Sequence, residues 1–503
     1  MSAMTTSTPP PDRRRLVLAV VAVAQLMVVL DATIVNIALP SAQRELGFSN
    51  SERQWVVTAY ALSFGSLLLV GGRLGDMFSR KSVFVLGLAG FAVASAVGGA
   101  AGSFAVLVTA RALQGGFAAV LAPSALGTLV SAFRDPRERG RAFGVFGSVA
   151  AGGGAVGLIL GGVLTEYLSW RWCMYINLLF AAIAVAGALA YVRGGRPADP
   201  PRMDWPGAVL ACTGLFAIVF GFSHAETAGW TAALTVGCLA GGAVLLAAFV
   251  LAERRARHPL LPLRVVADRT RAGSYAALGI SGIAVFGTFL FLTFYLQLVK
   301  GESPLTTGLL FLPMTACILI SSNLSNATGR GPRVLIAAGM ALAAAGMALL
   351  ARLTVTSSYA GGVLPALLLL GLGLGLIFSQ TIGTATAGVA REDSGVASAL
   401  VNTVQQVGGS IGTSALSTIA LSATATYLAG HPTGPTAPAI AATHGYTIAF
   451  GVSAGLLALG FVLVIGVLPG RPRPSAAAAP AEPAATEAIP VALCGCSPVI
   501  TAP

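Results

Sequence analysis

Long apolar runs recur along this chain from Leu16 to Leu468. Each matches the thickness of a bilayer, because roughly 20 residues at about 1.5 Å rise cover its ~30 Å hydrocarbon core. Backbone groups in hydrocarbon have no water to bond, so such runs must be helices that satisfy their own N–H and C=O groups. The expectation is fourteen spans, with cores near 16–39, 55–71, 82–101, 104–131, 143–165, 172–192, 205–223, 231–252, 273–299, 305–326, 333–351, 361–388, 397–424 and 446–468. Ser303-Pro304 marks the break between the ninth and the tenth. With 55% hydrophobic and 10% charged residues in 503, ordinary soluble composition is excluded.

The net charge of +12 could suggest a nucleic-acid partner, but the placement of the basic residues excludes it. Alternate loops carry them. Arg13–Arg15, Arg73, Arg80, Lys81, Arg134, Arg137, Arg139 and Arg141 fall on one side of the first half. Arg254, Arg255, Arg264, Arg269, Arg271, Arg330, Arg333, Arg391, Arg471 and Arg473 continue that side. The other side holds only Arg44, Arg53, Arg171, Lys300 and Arg352. Positive loops stay in the cytoplasm, so both termini are expected there. The first run is too long for a signal-peptide core and lacks an A-x-A site, so no cleaved leader is expected.

An internal echo organises the spans. Gly71–Ser82 (GGRLGDMFSRKS) follows span 2, and a reduced form, Gly329–Val334 (GRGPRV), follows span 10. Arg139–Gly147 (RGRAFGVFG) precedes span 5, and Asp393–Asn402 (DSGVASALVN) precedes span 13. Both fit an offset of eight spans. The expected architecture is all-α: a cytoplasmic segment 1–15, a six-helix bundle 16–192, an inserted helix pair with its loop 193–270, a second six-helix bundle 271–468 and a disordered Pro/Ala-rich cytoplasmic tail 469–503. Cys173, Cys212, Cys238 and Cys317 read as small apolar packers, and Cys494 and Cys496 of the tail have no third ligand beside them.

Inside this apolar frame one acid stands out. Asp31 interrupts the first run, where a carboxylate costs about 2.5–3.5 kcal/mol on insertion scales and needs a partner. Arg111 supplies a candidate. Asp31 is eight residues from the end of span 1 and Arg111 eight residues into span 4, which places both roughly 12 Å below the same boundary. One reading is a static buried ion pair. The other is a proton site: burial favours the acid and a nearby guanidinium the carboxylate, so moving either shifts the proton. Asp204 and Glu166 sit only at span ends, so Asp31 has no deep acidic rival to neutralise a dication. Neutral, monocationic or acidic aromatic compounds are therefore the expected substrates.

Small and polar residues give two further sets. Gly153, Gly157 and Gly161 recur every four residues and share one stripe of span 5, a pattern that lets helices touch closely. Asn402, Gln405 and Gln406 share a face of span 13. With Asn36, Trp55, Tyr60, Gln114, Tyr175, Phe286, Phe289, Tyr295 and Gln380 they could line a cavity for a large amphipathic ligand, or bond between helices.

Four segments together resemble the major facilitator superfamily, and within it the fourteen-helix drug:proton antiporter branch. LDATIVNIALP (Leu30–Pro40) resembles that branch's signature in span 1, and GGRLGDMFSRK (Gly71–Lys81) the superfamily's cytoplasmic loop motif. RALQGGFAAVLAPSAL (Arg111–Leu126) and the stretch Gly147–Trp172 resemble the motifs of spans 4 and 5. The chain departs from the pattern at Leu158 and at Leu178-Leu179, where the family usually carries proline.

The resemblance implies export of hydrophobic small molecules, such as antibiotics or secondary metabolites, in exchange for protons across a bacterial inner membrane by a functional monomer. It implies proton coupling at Asp31 and Arg111. It also implies gating at Gly72, Arg73, Gly75, Asp76 and Arg80, and a sliding or sealing seam at Gly153, Gly157 and Gly161. Within the same fold the alternative is an uptake carrier or uncoupled facilitator, which the missing prolines keep open. No G-x-x-x-x-G-K-[ST] loop and no Cys/His metal spacing occur, so no cofactor, nucleotide drive or enzymatic reaction is expected.

Overall fold

A computed structural model describes residues 11–133, 135–192, 194, 203–256, 259–386, 389, 394–431 and 434–469. The side chains of Asp76, Arg137, Arg139 and Arg141, the residues Arg134 and Arg391, and the tail with Cys494 and Cys496 lie outside it.

Among the described residues every element is helical. The long helices of the first part are α1 (Pro11–Leu46), α2 (Trp55–Met77), α3 (Arg80–Gly99), α4 (Phe104–Ala132), α5 (Pro136–Tyr167) and α6 (Trp172–Tyr191). Two more follow, α7 (Trp205–Ala228) and α8 (Ala233–Arg255). The last part holds α9 (Arg269–Phe294), α10 (Pro304–Leu310 continued by Leu312–Ala327), α11 (Pro332–Leu350), α12 (Leu364–Thr386), α13 (Ser394–Gly430) and α14 (Ala437–Val467). Eleven helices are long and apolar enough to cross a membrane among the described residues. The apolar run Trp55–Leu68 of α2 is shorter.

Local chemistry sets the ends. Ser303 accepts from the Thr306 N–H, and Pro304 stands in the first turn, where a missing N–H breaks no bond. Gly301 supplies the left-handed φ of 73° that the turn before it requires. The expected split there is therefore present. Other boundaries moved: α14 begins at Ala437 rather than near Tyr446, and α10 breaks again at Phe311, ahead of Pro313. Wider π turns occupy Tyr295–Val299 at the end of α9 and Tyr359–Val363 before α12, and no hydropathy pattern announced them.

In the first part α4 packs on α2 and α3, α1 on α5 and α6, and α3 on α6. In the last part α12 packs on α10 and α11, α9 on α13 and α14, and α11 on α14. The two parts meet where α2 lies on α13 and α5 on α10. Helix α7 packs on α8, α2 and α13. Only 17% of the apolar window of α8 is buried, against 67% for α9, so α8 stands at the rim and α9 in the core.

Basic residues bind carbonyls at helix C-termini, where the backbone dipole is negative. Arg13 donates to the Tyr191 carbonyl at 3.1 Å and Lys81 to that of Leu189 at 2.7 Å, both on α6. Arg269 and Arg333 donate to Gly466 at 2.7 Å and Ile465 at 2.6 Å, both on α14.

Candidate functional site

Helices α4 and α6 bond Asp31 of α1 directly, and α2 and α3 complete the network around it. Asp31 is wholly buried, and Arg111 of α4 is 2% exposed beside it. Arg111 Nη1 donates to Asp31 Oδ2 at 2.6 Å. The other oxygen, Oδ1, accepts from Asn177 Nδ2 of α6 at 2.7 Å and from Gln114 Nε2 of α4 at 3.1 Å. The carboxylate thus takes three donors, one of them charged.

Arg111 is held in turn. Its Nε donates to the Val56 carbonyl of α2 at 3.1 Å, and its Nη1 also reaches Gln114 Oε1 at 2.9 Å. Its guanidinium lies 4.4 Å from the centre of the Tyr60 ring, a cation–π contact that becomes stronger away from water. Gln114 Nε2 also donates to Ser95 Oγ of α3 at 2.7 Å. A buried ion pair repays its desolvation only when its remaining lone pairs and protons are bonded, and this network does so nearly completely. Asn177 Oδ1 and the Tyr60 hydroxyl are the exceptions, buried without a hydrogen-bond partner.

The equal depth inferred for Asp31 and Arg111 matches this contact. Gln114 and Tyr60, expected in a substrate cavity, join the pair. Asn177 and Ser95 were not singled out from the sequence, although each is a polar residue inside an apolar span.

The glycine stripe of α5 faces α1 around Asp31. A side chain at Gly153 would meet Leu26 and Val29 at 3.2 and 3.3 Å; one at Gly161 would meet Ile34 at 2.8 Å. At Gly157 it would collide with the Thr33 hydroxyl. The two helices touch backbone to backbone on the residues flanking the acid. In the loop motif the tight approach falls at Gly71, against the Ala119 carbonyl of α4, while Gly72 and Gly75 leave 3.7 and 3.5 Å to Pro123 and Ser124. Arg73 is half-buried, and Arg80 donates to the Gly127 carbonyl of α4 at 3.2 Å.

The remaining candidates scatter. Trp55 lies tilted against Phe220 of α7 at 6.0 Å, and Tyr175 lies against Trp172 at 5.8 Å. Phe289 faces Phe311 at 5.1 Å. Tyr295 donates to the Thr354 carbonyl at 2.8 Å, Gln380 to Ser325 Oγ at 3.1 Å, and Asn36 back to Ala32 at 2.9 Å. Asn402, Gln405 and Gln406 are half-buried on α13, where the Cβ of Gln406 approaches Gly65 of α2. A small cavity lies elsewhere, lined by Arg53, Gln54, Phe291, Ser417, Thr424 and Tyr446, none of them expected from the sequence.

Near the Glu166 end the two parts are stitched across α5 and α10. Glu166 Oε2 accepts from Ser303 Oγ at 2.6 Å and from the Leu305 N–H at 3.1 Å. Gln297 donates to the Ile37 carbonyl of α1 at 3.2 Å. Gly162 and Gly308 bring the α5 and α10 backbones together at Leu305 and Leu158, respectively.

Among the described residues the body is all-helical, with eleven helices long and apolar enough to cross a membrane and a desolvated charge pair among the helices. The Major Facilitator Superfamily profile matches residues 21–413, and the chain belongs to that family. It is 48% identical over 476 residues to the puromycin resistance protein pur8 of Streptomyces alboniger, covering 93% of this chain and 94% of that one. It is 40% identical over 411 residues to the cephamycin export protein CmcT of Amycolatopsis lactamdurans, covering 80% and 84%. Its fold is shared with a bacterial homologue of the human lysosomal transporter Spinster in an inward-facing, unoccupied conformation, at a TM-score of 0.65 and 16% identity over 93% of this chain and 100% of that chain. The protein is a bacterial-type plasma-membrane transporter whose relatives include antibiotic resistance and export proteins.

Proposed function

We propose that the protein exports hydrophobic or amphipathic antibiotics or secondary metabolites in exchange for protons, with Asp31 as the proton-carrying group and Arg111 as its modulator. The single observation that carries this is a fully buried carboxylate held 2.6 Å from a guanidinium on another helix. Moving α1 against α4 would separate the charges, and an isolated buried carboxylate takes up a proton rather than stay ionised. The pair thereby links a helix movement to a protonation event. The export direction follows the resistance and export names of the relatives.

In this reading α1 to α14 all cross the membrane, with both termini cytoplasmic and the protein acting as a monomer. The bundles 16–192 and 271–468 are then repeats flanking the 193–270 insertion. Matched packing partners support this, as do the matched basic residues on the ends of α6 and α14. Gly72, Arg73, Gly75, Asp76 and Arg80 gate the cytoplasmic end, and the Gly153–Gly157–Gly161 seam seals α5 to α1. The other buried acid among the described residues, Glu253, sits in the last turn of α8 and accepts from the Leu260 and Leu261 N–H groups, so monovalent, neutral or acidic aromatic compounds remain the proposed substrates.

Inverted membrane vesicles with an imposed proton gradient test the proposal against a panel of dyes and antibiotics. Wild-type vesicles should accumulate at least one compound only while the gradient lasts, and Asp31→Asn should fall to the level of vesicles lacking the protein. Full gradient-driven accumulation by Asp31→Asn would refute the coupling role. Movement indifferent to the gradient would favour a facilitator.

A further inference from the structure

The geometry points to Asn177 as a positioning residue that follows the protonation state of Asp31, donating its amide N–H to the carboxylate and, after turning over, offering its amide oxygen to the carboxylic acid. This rests on the reading that Asp31 carries the proton. Three side chains bond Asp31, and they differ in what they can do when a proton arrives. Arg111 has donors only. Gln114 has an acceptor, but that oxygen already receives Arg111 Nη1 at 2.9 Å, while its nitrogen is shared between Asp31 and Ser95. Asn177 is the one with a free acceptor. Its Nδ2 is 2.7 Å from Asp31 Oδ1, and its Oδ1 is buried with no partner.

A buried amide oxygen without a partner is a standing desolvation cost, so its presence at the ionisable centre calls for an account. Rotation by half a turn about the terminal side-chain torsion exchanges the nitrogen and oxygen in place, and that torsion is soft. The orphaned oxygen then lies where the Asp31 O–H would donate. The only covalent change is the O–H bond that Asp31 forms when it takes a proton from a hydronium ion, which leaves water; the amide itself only reverses its hydrogen bond. The titratable groups facing Asp31 from other helices are Arg111 of α4, Tyr60 of α2 and Cys173 of α6. Helices α5, α9 and α10 add no hydrogen bond or ion pair to it among the described residues. The Tyr60 hydroxyl is also unpartnered, but it makes no bond to the carboxylate.

Infrared difference spectra of the full-length protein in lipid vesicles, titrated with pH in the absence of substrate, test this. The wild type should show a carboxylic-acid C=O band that is missing in Asp31→Asn, together with a change in the asparagine amide carbonyl band over the same pH range. In Asn177→Leu the acid band should move to higher wavenumber, as an acid does when its O–H loses an acceptor, and the amide change should vanish. If Asn177→Leu does not accumulate, Asn177→Ser, whose hydroxyl is too short to reach, serves for the same measurement. An acid band identical in wild type and variant overturns the role of Asn177 while leaving Asp31 as the proton site. Absence of any acid band assignable to Asp31 overturns both. A merely structural asparagine would lower the yield of folded protein without moving the band.

Discussion

The helix groups α1–α6 and α9–α14 pack by the same plan but differ sharply inside. Each has a tight glycine seam between its first and fifth helices. Gly157 meets Thr33 across α5 and α1, and Gly412 meets Ile283 across α13 and α9, with Gly408 set against the Gly279 carbonyl. Each ends its sixth helix on two basic side chains. Yet the first group encloses Asp31 and Arg111, whereas the buried polar residues of α9 and α13 are hydroxyls such as Ser281, Thr288, Thr413 and Thr418. These four bond back to their own helix, as Thr413 does to Gly409 at 2.8 Å and Thr418 to Ser414 at 2.9 Å. Among the described residues the second frame packs without a buried ion pair, and the first carries one.

The sharpest way to break that contrast is to remove one charge. Arg111→Ala should destabilise the protein by about 3–5 kcal/mol, since it strands a buried carboxylate. Replacing both charges by apolar residues of similar volume, Asp31→Leu with Arg111→Met, should restore most of the stability while leaving no gradient-driven transport. Thermal unfolding in detergent followed by the vesicle assay separates the two. A double variant as unstable as Arg111→Ala would show that the pair is part of the frame after all.

Much of this was legible beforehand for a physical reason. Hydrocarbon allows few backbone solutions, so apolar run length marks helices directly, and a charge in such a run advertises itself. Asp31 and Arg111 could be placed at one depth by rise per residue alone. Asn177 and Ser95 could not be picked out, because an amide or hydroxyl in a membrane helix more often bonds its own backbone, as Asn36 does. Gln114 was visible, but its partner was not: which face of α4 looks at α1 depends on packing, not on spacing. The π turns at Tyr295–Val299 and Tyr359–Val363 leave no trace in hydropathy. The cavity beside Arg53 joins residues from distant helices, and only the fold brings them together.

The two glycine seams offer a second, smaller test. Gly157→Val places a side chain on Thr33, and Gly412→Val places one on Ile283. Overpacking of this kind costs about 1–3 kcal/mol, so both should lower thermal stability alike. Only Gly157→Val moves the helix that carries Asp31, and it should depress gradient-driven transport more than Gly412→Val does. Equal losses of transport would show that the seam serves packing alone. Next in size are the caps. Lys81→Gln and Arg333→Gln each remove a cation from a helix C-terminus and should each cost about 0.3–1 kcal/mol, with similar values for the two. A clear cost at one and none at the other would weaken the equivalence of the two frames.

The smallest expected effect comes from the hydroxyls, and it tests whether the second group is inert in the sense argued above. Thr413→Val keeps the shape of the side chain and removes a hydroxyl that bonds only within α13. Polar contacts between helices in membranes are worth about 0.6 kcal/mol on average, and a bond to the residue's own helix should fall below that. The change should leave both stability and the pH dependence of transport within error of wild type. A shifted pH profile in Thr413→Val would mean that the second group takes part in proton handling, and the division between a charged frame and a neutral one would have to be redrawn.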